Sequence, residues 1–455
     1  MHETSPTSDD LEKNHRRLPW LALGGIALVL LVPLIWLVGF YDIPKPDDSR
    51  MIPQWSERDP TTNPLIVFCD EIQRSAAKKY SDLPRDMTAR LDAGDVQPAR
   101  EFLAKQSDTL AAFDKIRHTD STTWLWPDGE AMTSPHYAAD YLSTCNVVVK
   151  VVLLKAKLLA REGKEDEAMR LCLDVAKLGA GMQRAEGCPV HLMVANGIQA
   201  MGENHCITLA TSQTFTRSQI LQTLRELSTM EGPRREDLSF AMQADYQMFL
   251  HYLELFEQAK GTSGITGAPK RMPKFLLKRH RTINMRLDRD LPIREGLDRG
   301  WREGLKAGLL ADAAFEELAA KRRSIGFFLD SNFVGKICIV LCSTPMRATF
   351  RSNMNACAAQ EQRRVLLALR LYEMDQGGLP ASLEALVPTY LPEMPEDIYS
   401  GKPMLWNAND KVVYSTGENG IDDGGRINEA QPRKGLDVGR AYPWANAPLT
   451  SPAHE

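Results

Sequence analysis

The stretch "AKLLAREGKEDEAMRLCL", residues 156–173, reads as two helices meeting at a stop. An apolar helix end is followed by Gly163, a residue suited to the left-handed conformation in which helices often end. Five positions later Ala168 offers a small side chain where a partner helix can pack closely. That is how an antiparallel helical hairpin is written. The same grammar stands upstream in "ARLDAGDVQPAREFL", residues 89–103, with Gly94 and Ala99 in the corresponding places. A chain built from such hairpins buries its apolar faces helix against helix.

Helical periodicity continues from residue 65 onward. Residues 189–210, 217–230, 236–258 and 346–375 read as further helices. In the third, Leu238, Met242, Tyr246, Phe249, Leu253 and Phe256 recur at three- and four-residue steps, which predicts one buried face. "IGFFLDSNFVGKICIVLC", residues 325–342, is barely long enough to span a membrane and is interrupted by Asp330 and Lys336, so it reads as a core helix. The Gly- and Pro-rich residues 260–273 read as a hinge. Gly94 and Gly163 lie 69 positions apart, about twice the ~34-residue tetratricopeptide period, and the short turn motif resembles that repeat. The expected fold of residues 65–345 is therefore mainly α, an irregular helical bundle or repeat-like array.

Residues 18–40, "LPWLALGGIALVLLVPLIWLVGF", run from Leu18 to Phe40 without a charge. At ~1.5 Å per residue a helix of that length crosses the ~30 Å hydrocarbon layer. Trp20, Trp36 and Tyr41 sit near its ends, where amphipathic rings favour the interface. The run exceeds the ~7–15 residues of a cleaved signal core, which predicts an uncleaved single-pass anchor in the cell membrane. Lys13, Arg16 and Arg17 precede it and Asp42, Asp47 and Asp48 follow. Residues 1–17 are thus expected in the cytoplasm and the bulk of the chain outside. Residues 41–64, with five prolines, read as an extended linker.

The formal charge of −4, with 43% apolar and 25% charged residues, describes an ordinary globular chain without the basic surface that nucleic acid demands. Nucleic acid is accordingly not an expected partner. Locally, residues 270–289 hold eight Lys or Arg and one acid, either a surface for an anionic partner or the solvated back of a buried apolar face. Nine histidines fall into no zinc spacing, and no nucleophile elbow, phosphate loop or dinucleotide fingerprint occurs. His205 and Cys206 are neighbours, but adjacent helical side chains point about 100° apart. Glu236 and Asp245 on the long helix are the carboxylates that a groove would use. No catalytic or cofactor-binding residue is assigned. Of eight cysteines, Cys145, Cys172 and Cys206 lie in apolar helical patterns and read as buried thiols.

Past the helix at 346–375, Gly377, Gly378 and Pro380 enforce a stop. "SLEALV", "YLP" and "P-x-D" follow, and two β-type runs, 404–406 and 411–415, flank the turn "NAND". The second run closes on "YSTGENGIDDGG", residues 414–425. Long helix, Gly-x-Pro stop, these short landmarks and a hairpin ending in "YS-x-G-x-x-G" resemble the globular part of the major pseudopilins of type II secretion systems, over residues 359–425. The resemblance implies a small α+β module at 346–425, followed by a polar tail at 426–455. It also implies calcium, with Asn419, Asp422 and Asp423 as side-chain ligands and Glu418 further out. Read from its residues alone, the loop is rather a pair of glycine-permitted turns with solvated acids. Both readings stay open at this point.

The functional expectation is a membrane-anchored exported protein with a binding or assembly role. It would contact the membrane through residues 18–40 and protein partners through the helical domain or the C-terminal module. Competing expectations are an accessory component of a type II secretion or pilus-like system, and a hydrolase with a groove among the helices.

Overall fold

The computed structural model describes residues 41–57, 59, 61–74, 86–126, 135–211, 215–257, 277–321, 324–328, 330–427 and 437–442. The expected anchor at 18–40 and hinge at 260–273 lie outside the described residues. The helices are α1 (Pro64–Arg74), α2 (Met87–Asp92), α3 (Gln97–Ala104), α4 (Ser107–Ile116), α5 (Pro135–Arg161), α6 (Glu165–Gln183) and α7 (Pro189–Ala210). They continue with α8 (Arg217–Thr229), α9 (Arg235–Glu257), α10 (Arg279–Arg299), α11 (Trp301–Lys321), α12 (Ile325–Phe328), α13 (Phe333–Cys342) and α14 (Met346–Gln376). Strands β1 (Glu396–Asp397) and β2 (Lys402–Pro403) pair antiparallel. Strands β3 (Leu405–Asn407), β4 (Val412–Ser415) and β5 (Val438–Ala441) form a second antiparallel sheet in that order. The protein is mainly helical with small antiparallel sheets.

The hairpin stops behave as their glycines require. Gly94 and Gly163 take φ of +90° and +76°. After each, the next amide reaches back five residues: Asp95 N to Arg90 O at 2.9 Å and Lys164 N to Leu159 O at 2.9 Å. Both glycine amides also bond three residues back, which completes the Schellman pattern at the ends of α2 and α5. Ala99 and Ala168 are fully buried, as a close partner demands. On α9 the expected face is also inside: Leu238, Met242, Tyr246, Phe249 and Leu253 are buried, and Phe256 is half-buried.

The chain forms two compact units that interleave along the sequence. The larger holds residues 48–252, 289–314 and 343–455; the smaller holds 253–288 and 315–342 together with the described residues up to Asp47. This differs from the expected division at 345/346, because one apolar core runs through both sides of that boundary. Val148 and Val152 of α5, Cys172 and Val175 of α6, Ile198 of α7 and Val365 to Leu369 of α14 belong to it. So do Leu383, Leu386, Met404 and Val413 from the C-terminal region. Burying a large aliphatic side chain contributes about 1.5–3 kcal/mol, so α14 cannot be detached without exposing the centre of the larger unit.

Two further expectations change. Residues 48–57 are no free spacer: Met51 is fully buried, Tyr246 Oη donates to Asp48 Oδ2 at 3.1 Å, and Trp55 Nε1 donates to Gln247 Oε1 at 2.6 Å. Ser56 Oγ adds a bond to Glu186 Oε1 at 2.5 Å. Five prolines suit an extended strand, but such a strand can equally lie in a groove where its polar groups find partners. Residues 325–342, expected as one helix, divide into α12 and α13. Asp330 Oδ1 accepts from Asn332 N at 2.7 Å, and the side-chain Oδ1 of buried Asn332 accepts the Lys278 backbone amide at 2.9 Å. A short polar turn with these bonds outcompetes helix continuation.

Among the described residues, the helical stretch Phe333–Gln376 is long and apolar enough by composition to cross a membrane. It is interrupted between Cys342 and Met346, and its Val365–Leu371 part lies in the core.

Candidate functional site

The loop after β4 is held from three sides. Ser415 Oγ donates to Asp397 Oδ1 at 2.5 Å and accepts the Gly417 amide at 3.0 Å. Asp397 is buried and also accepts from Tyr399 N at 3.1 Å and Ser400 Oγ at 2.8 Å, so one carboxylate ties the β1–β2 turn to the end of β4. Glu418, expected as an outer metal ligand, pairs instead with α14, through Arg347 Nε at 2.7 Å and through Arg351. Hydrogen bonds to charged groups are the strong ones, and this pair of arginines fixes the loop's first turn on the longest helix.

The three residues assigned to calcium are found in one loop, each engaged within it. Asn419 Oδ1 accepts from Ile421 N at 3.2 Å. Asp422 Oδ1 accepts from Tyr414 Oη at 3.1 Å and from Gly424 N at 2.8 Å. Burial and the Asp422 partner push the Tyr414 phenol up to about 12. Asp423 lies beside Arg426, whose Nε donates to the Asp423 carbonyl oxygen at 3.0 Å. Gly417, Gly420, Gly424 and Gly425 all take positive φ, the backbone freedom that both readings of the loop require.

The residue that completes the loop comes from beyond its expected end. Part of the predicted polar tail is β5, and Asp437 just before it turns inward. Its Oδ2 accepts from Asp423 N at 3.1 Å and Gly425 N at 2.8 Å. The residue is buried, and among the described residues its Oδ1 has no hydrogen-bond partner. Burial raises its pKa, and the nearby Asp423 and Asp422 push the same way against the two amides. Wide spacing from the glycine loop hid this residue; only the β4–β5 pairing, Ser415 opposite Val438, brings it back.

Against calcium, the shell is not ready. A calcium ion takes six to eight oxygens, whereas the Asp422 and Asn419 oxygens already latch the loop. Among the described residues no group of three or more His, Cys, Asp or Glu is placed to hold a metal ion. What favours a cation is the single buried, unpartnered oxygen of Asp437 beside two further carboxylates.

The catalytic candidates separate. His205 Nδ1 contacts its own helix at Met201 O, 2.9 Å, and Cys206 is fully buried, with its thiol pushed up by burial and by Cys172. Asp245 is buried and accepts from Thr344 Oγ1 at 2.8 Å, while Glu236 is exposed, so the two do not share a groove. The structure does bring together one cysteine and histidine that the sequence reading passed over: Cys188 Sγ lies 3.1 Å from His191 Nδ1 at the start of α7. Burial raises the thiol to about 11 and lowers the imidazole to about 3, so both are neutral. A nucleophile needs a thiolate, and this pair instead caps a helix.

The basic run at 270–289 finds internal partners where it is described. In the smaller unit, Arg279 pairs with Glu257 at 2.9 Å and Arg286 Nη1 donates to Cys342 O at 3.1 Å. In the larger, Arg289 pairs with Asp290 at 2.9 Å. These cations are consumed by folding. Compared with family models, with characterised proteins and with solved structures, the chain finds no match.

Proposed function

We propose that this is a membrane-anchored exported protein with a binding or assembly role, and that the loop at 415–425 is its docking element. The observation that carries this reading is Ile421, a large aliphatic side chain 60% exposed at the tip of a loop whose neighbours on both sides are latched. A preorganised loop loses little entropy on binding, and an apolar centre within a polar rim is the common anatomy of an interface. The partner class suggested by the module's resemblance is a pseudopilin of a type II secretion or pilus-like assembly.

The test is affinity between the full-length protein and a purified major pseudopilin, measured by biolayer interferometry. Ile421→Asp should weaken binding at least tenfold while leaving the melting temperature within 1–2 °C, because surface substitutions usually change stability by under about 0.5 kcal/mol. Unchanged binding in the variant rejects the docking loop. Deleting 359–455 is an unsuitable test, since it removes Val365 to Leu371 from the core.

Calcium at the same loop is the second reading, favoured by Asp437 Oδ1. Ionising a carboxylate whose folded pKa is raised opposes folding, so the contribution of Asp437 is present at low pH and lost as pH rises through that pKa. A bound cation would cancel this loss. Calcium at about a hundred times its Kd should then stabilise the fold by about 2.7 kcal/mol, and Asp437→Asn should remove the effect. A melt at pH 7 that calcium and chelator leave unchanged sinks this reading and spares the docking loop.

A further inference from the structure

The first described residues are fastened to a helix. Asp42 Oδ2 accepts from the His280 amide at 2.8 Å and Oδ1 from the Arg281 amide at 3.0 Å, so its carboxylate caps the start of α10 from 238 positions away. Two bonds reinforce this. Lys278 Nζ donates to Tyr41 O at 2.9 Å, and His280 Nδ1 contacts Ile43 O at 2.8 Å. The Lys278 side chain is buried, and burial lowers its pKa. Burying an ammonium costs free energy unless it is hydrogen-bonded, so this cation is committed to the contact that holds the chain at Tyr41. The cost is understandable if the chain must be held at this point.

Position gives the reason. The apolar run of the sequence ends at Phe40. Two residues of fully extended chain cover at most about 7 Å. The headgroup layer on each side of the hydrocarbon is itself about 5–8 Å deep, the difference between a ~30 Å core and a ~40–45 Å bilayer. The capped end of α10 therefore lies within or just above that layer, with no slack to lift it away. Tyr41, 65% exposed, is the kind of amphipathic ring that settles at this depth. Lys45 and Arg281 are exposed cations on the same segments, and Asp47 is an exposed acid, so charge alone does not select the surface; the short tether does.

We propose that residues 41–47 and the exposed side of residues 277–288 in the smaller unit, the side that carries Arg281 and Asp288, form the face that rests on the phospholipid headgroup layer, with the Asp42 cap and the Lys278–Tyr41 bond as the clamp that seats it. This rests on the reading of residues 18–40 as a membrane span. The consequence is a smaller unit seated on the bilayer in place of one on a spacer.

The experiment uses the full-length chain in phosphatidylcholine–phosphatidylglycerol nanodiscs with two photoreactive lipids, one activated in the headgroup and one in the acyl chain. Cross-linked peptides are mapped by mass spectrometry. The expected result is acyl labelling of 18–40, and headgroup labelling of 41–47 and 277–288 several-fold above the remaining peptides. Asp42→Ala with Lys278→Met should reduce the labelling of 277–288 at least threefold while leaving 18–40 labelled. If that variant fails to fold, the wild-type pattern alone decides. Acyl labelling of 18–40 with only background headgroup labelling of 277–288 overturns the seat and leaves the span standing. No labelling of 18–40 overturns the span reading and the seat with it.

Discussion

Arg363→Ala is expected to destabilise the larger unit by about 3–5 kcal/mol, read as a drop in the urea midpoint. Arg363 of α14 and Glu203 of α7 form an ion pair whose side chains are 3% and 1% exposed. The surrounding groups complete it: Gln199 Nε2 donates to Glu203 Oε1 at 2.8 Å, and Arg363 Nε donates to Asn204 Oδ1 at 2.8 Å. Burial lowers the Arg363 pKa, and Glu203 opposes that shift. Removing the guanidinium leaves an unpaired carboxylate in the core, which is the costly half of such a substitution. Replacing both partners, Glu203→Leu with Arg363→Met, removes the charges together and should cost less than Arg363→Ala alone. A double replacement as damaging as the sum of the single ones would show that the two residues are not coupled.

Two alanine substitutions on the same helix should act in opposite directions. A Cβ on Gly202 of α7 would lie 2.4 Å from Ala176 N and 2.7 Å from Cys172 O, both backbone atoms of α6. Backbone cannot swing aside as a side chain can, so Gly202→Ala forces α6 and α7 apart and should cost about 3 kcal/mol. Gly179 makes the reciprocal approach from α6, with Gln199 N at 2.2 Å from its added carbon. Gly197 is exposed on α7, and its added carbon would meet nothing within 4 Å. Gly197→Ala should therefore stabilise by up to about 1 kcal/mol through helix propensity alone. Equal melting shifts for Gly202→Ala and Gly197→Ala would show that helix propensity, and not close approach, governs both sites.

Much of the local structure was legible because its causes are local. Glycine at 94 and 163, alanine five residues on, and the stop at Gly377 each act within one turn of chain, and the structure places φ of +75° at Gly377. The antiparallel pairing of Leu405 with Tyr414 follows from two short β-type runs around a polar turn. The candidate loop was legible in the same way, as a set of glycines and acids whose backbone demands are visible residue by residue. Its closure was not legible, because Asp437 enters it only after β5 has paired with β4.

The readings that changed share one cause. Residues 48–57 looked like a spacer, since proline-rich polar chain is extended whether free or bound; Gln247 and Tyr246, nearly two hundred positions away, decide that it is bound. The division at 345/346 followed the resemblance to a pseudopilin module, yet α14 completes the core that α5, α6 and α7 begin.

The sequence by itself determined the helical hairpins, the buried face of α9, the stop after α14 and the glycine-rich loop, because periodicity, left-handed glycine and turn chemistry operate over four or five residues. Tertiary structure alone decided that Glu203 meets Arg363, that Asp437 closes the loop and that Asp42 caps α10. Each of those bonds joins positions set near one another by packing of whole elements, and no local pattern records which distant polar group will be waiting there.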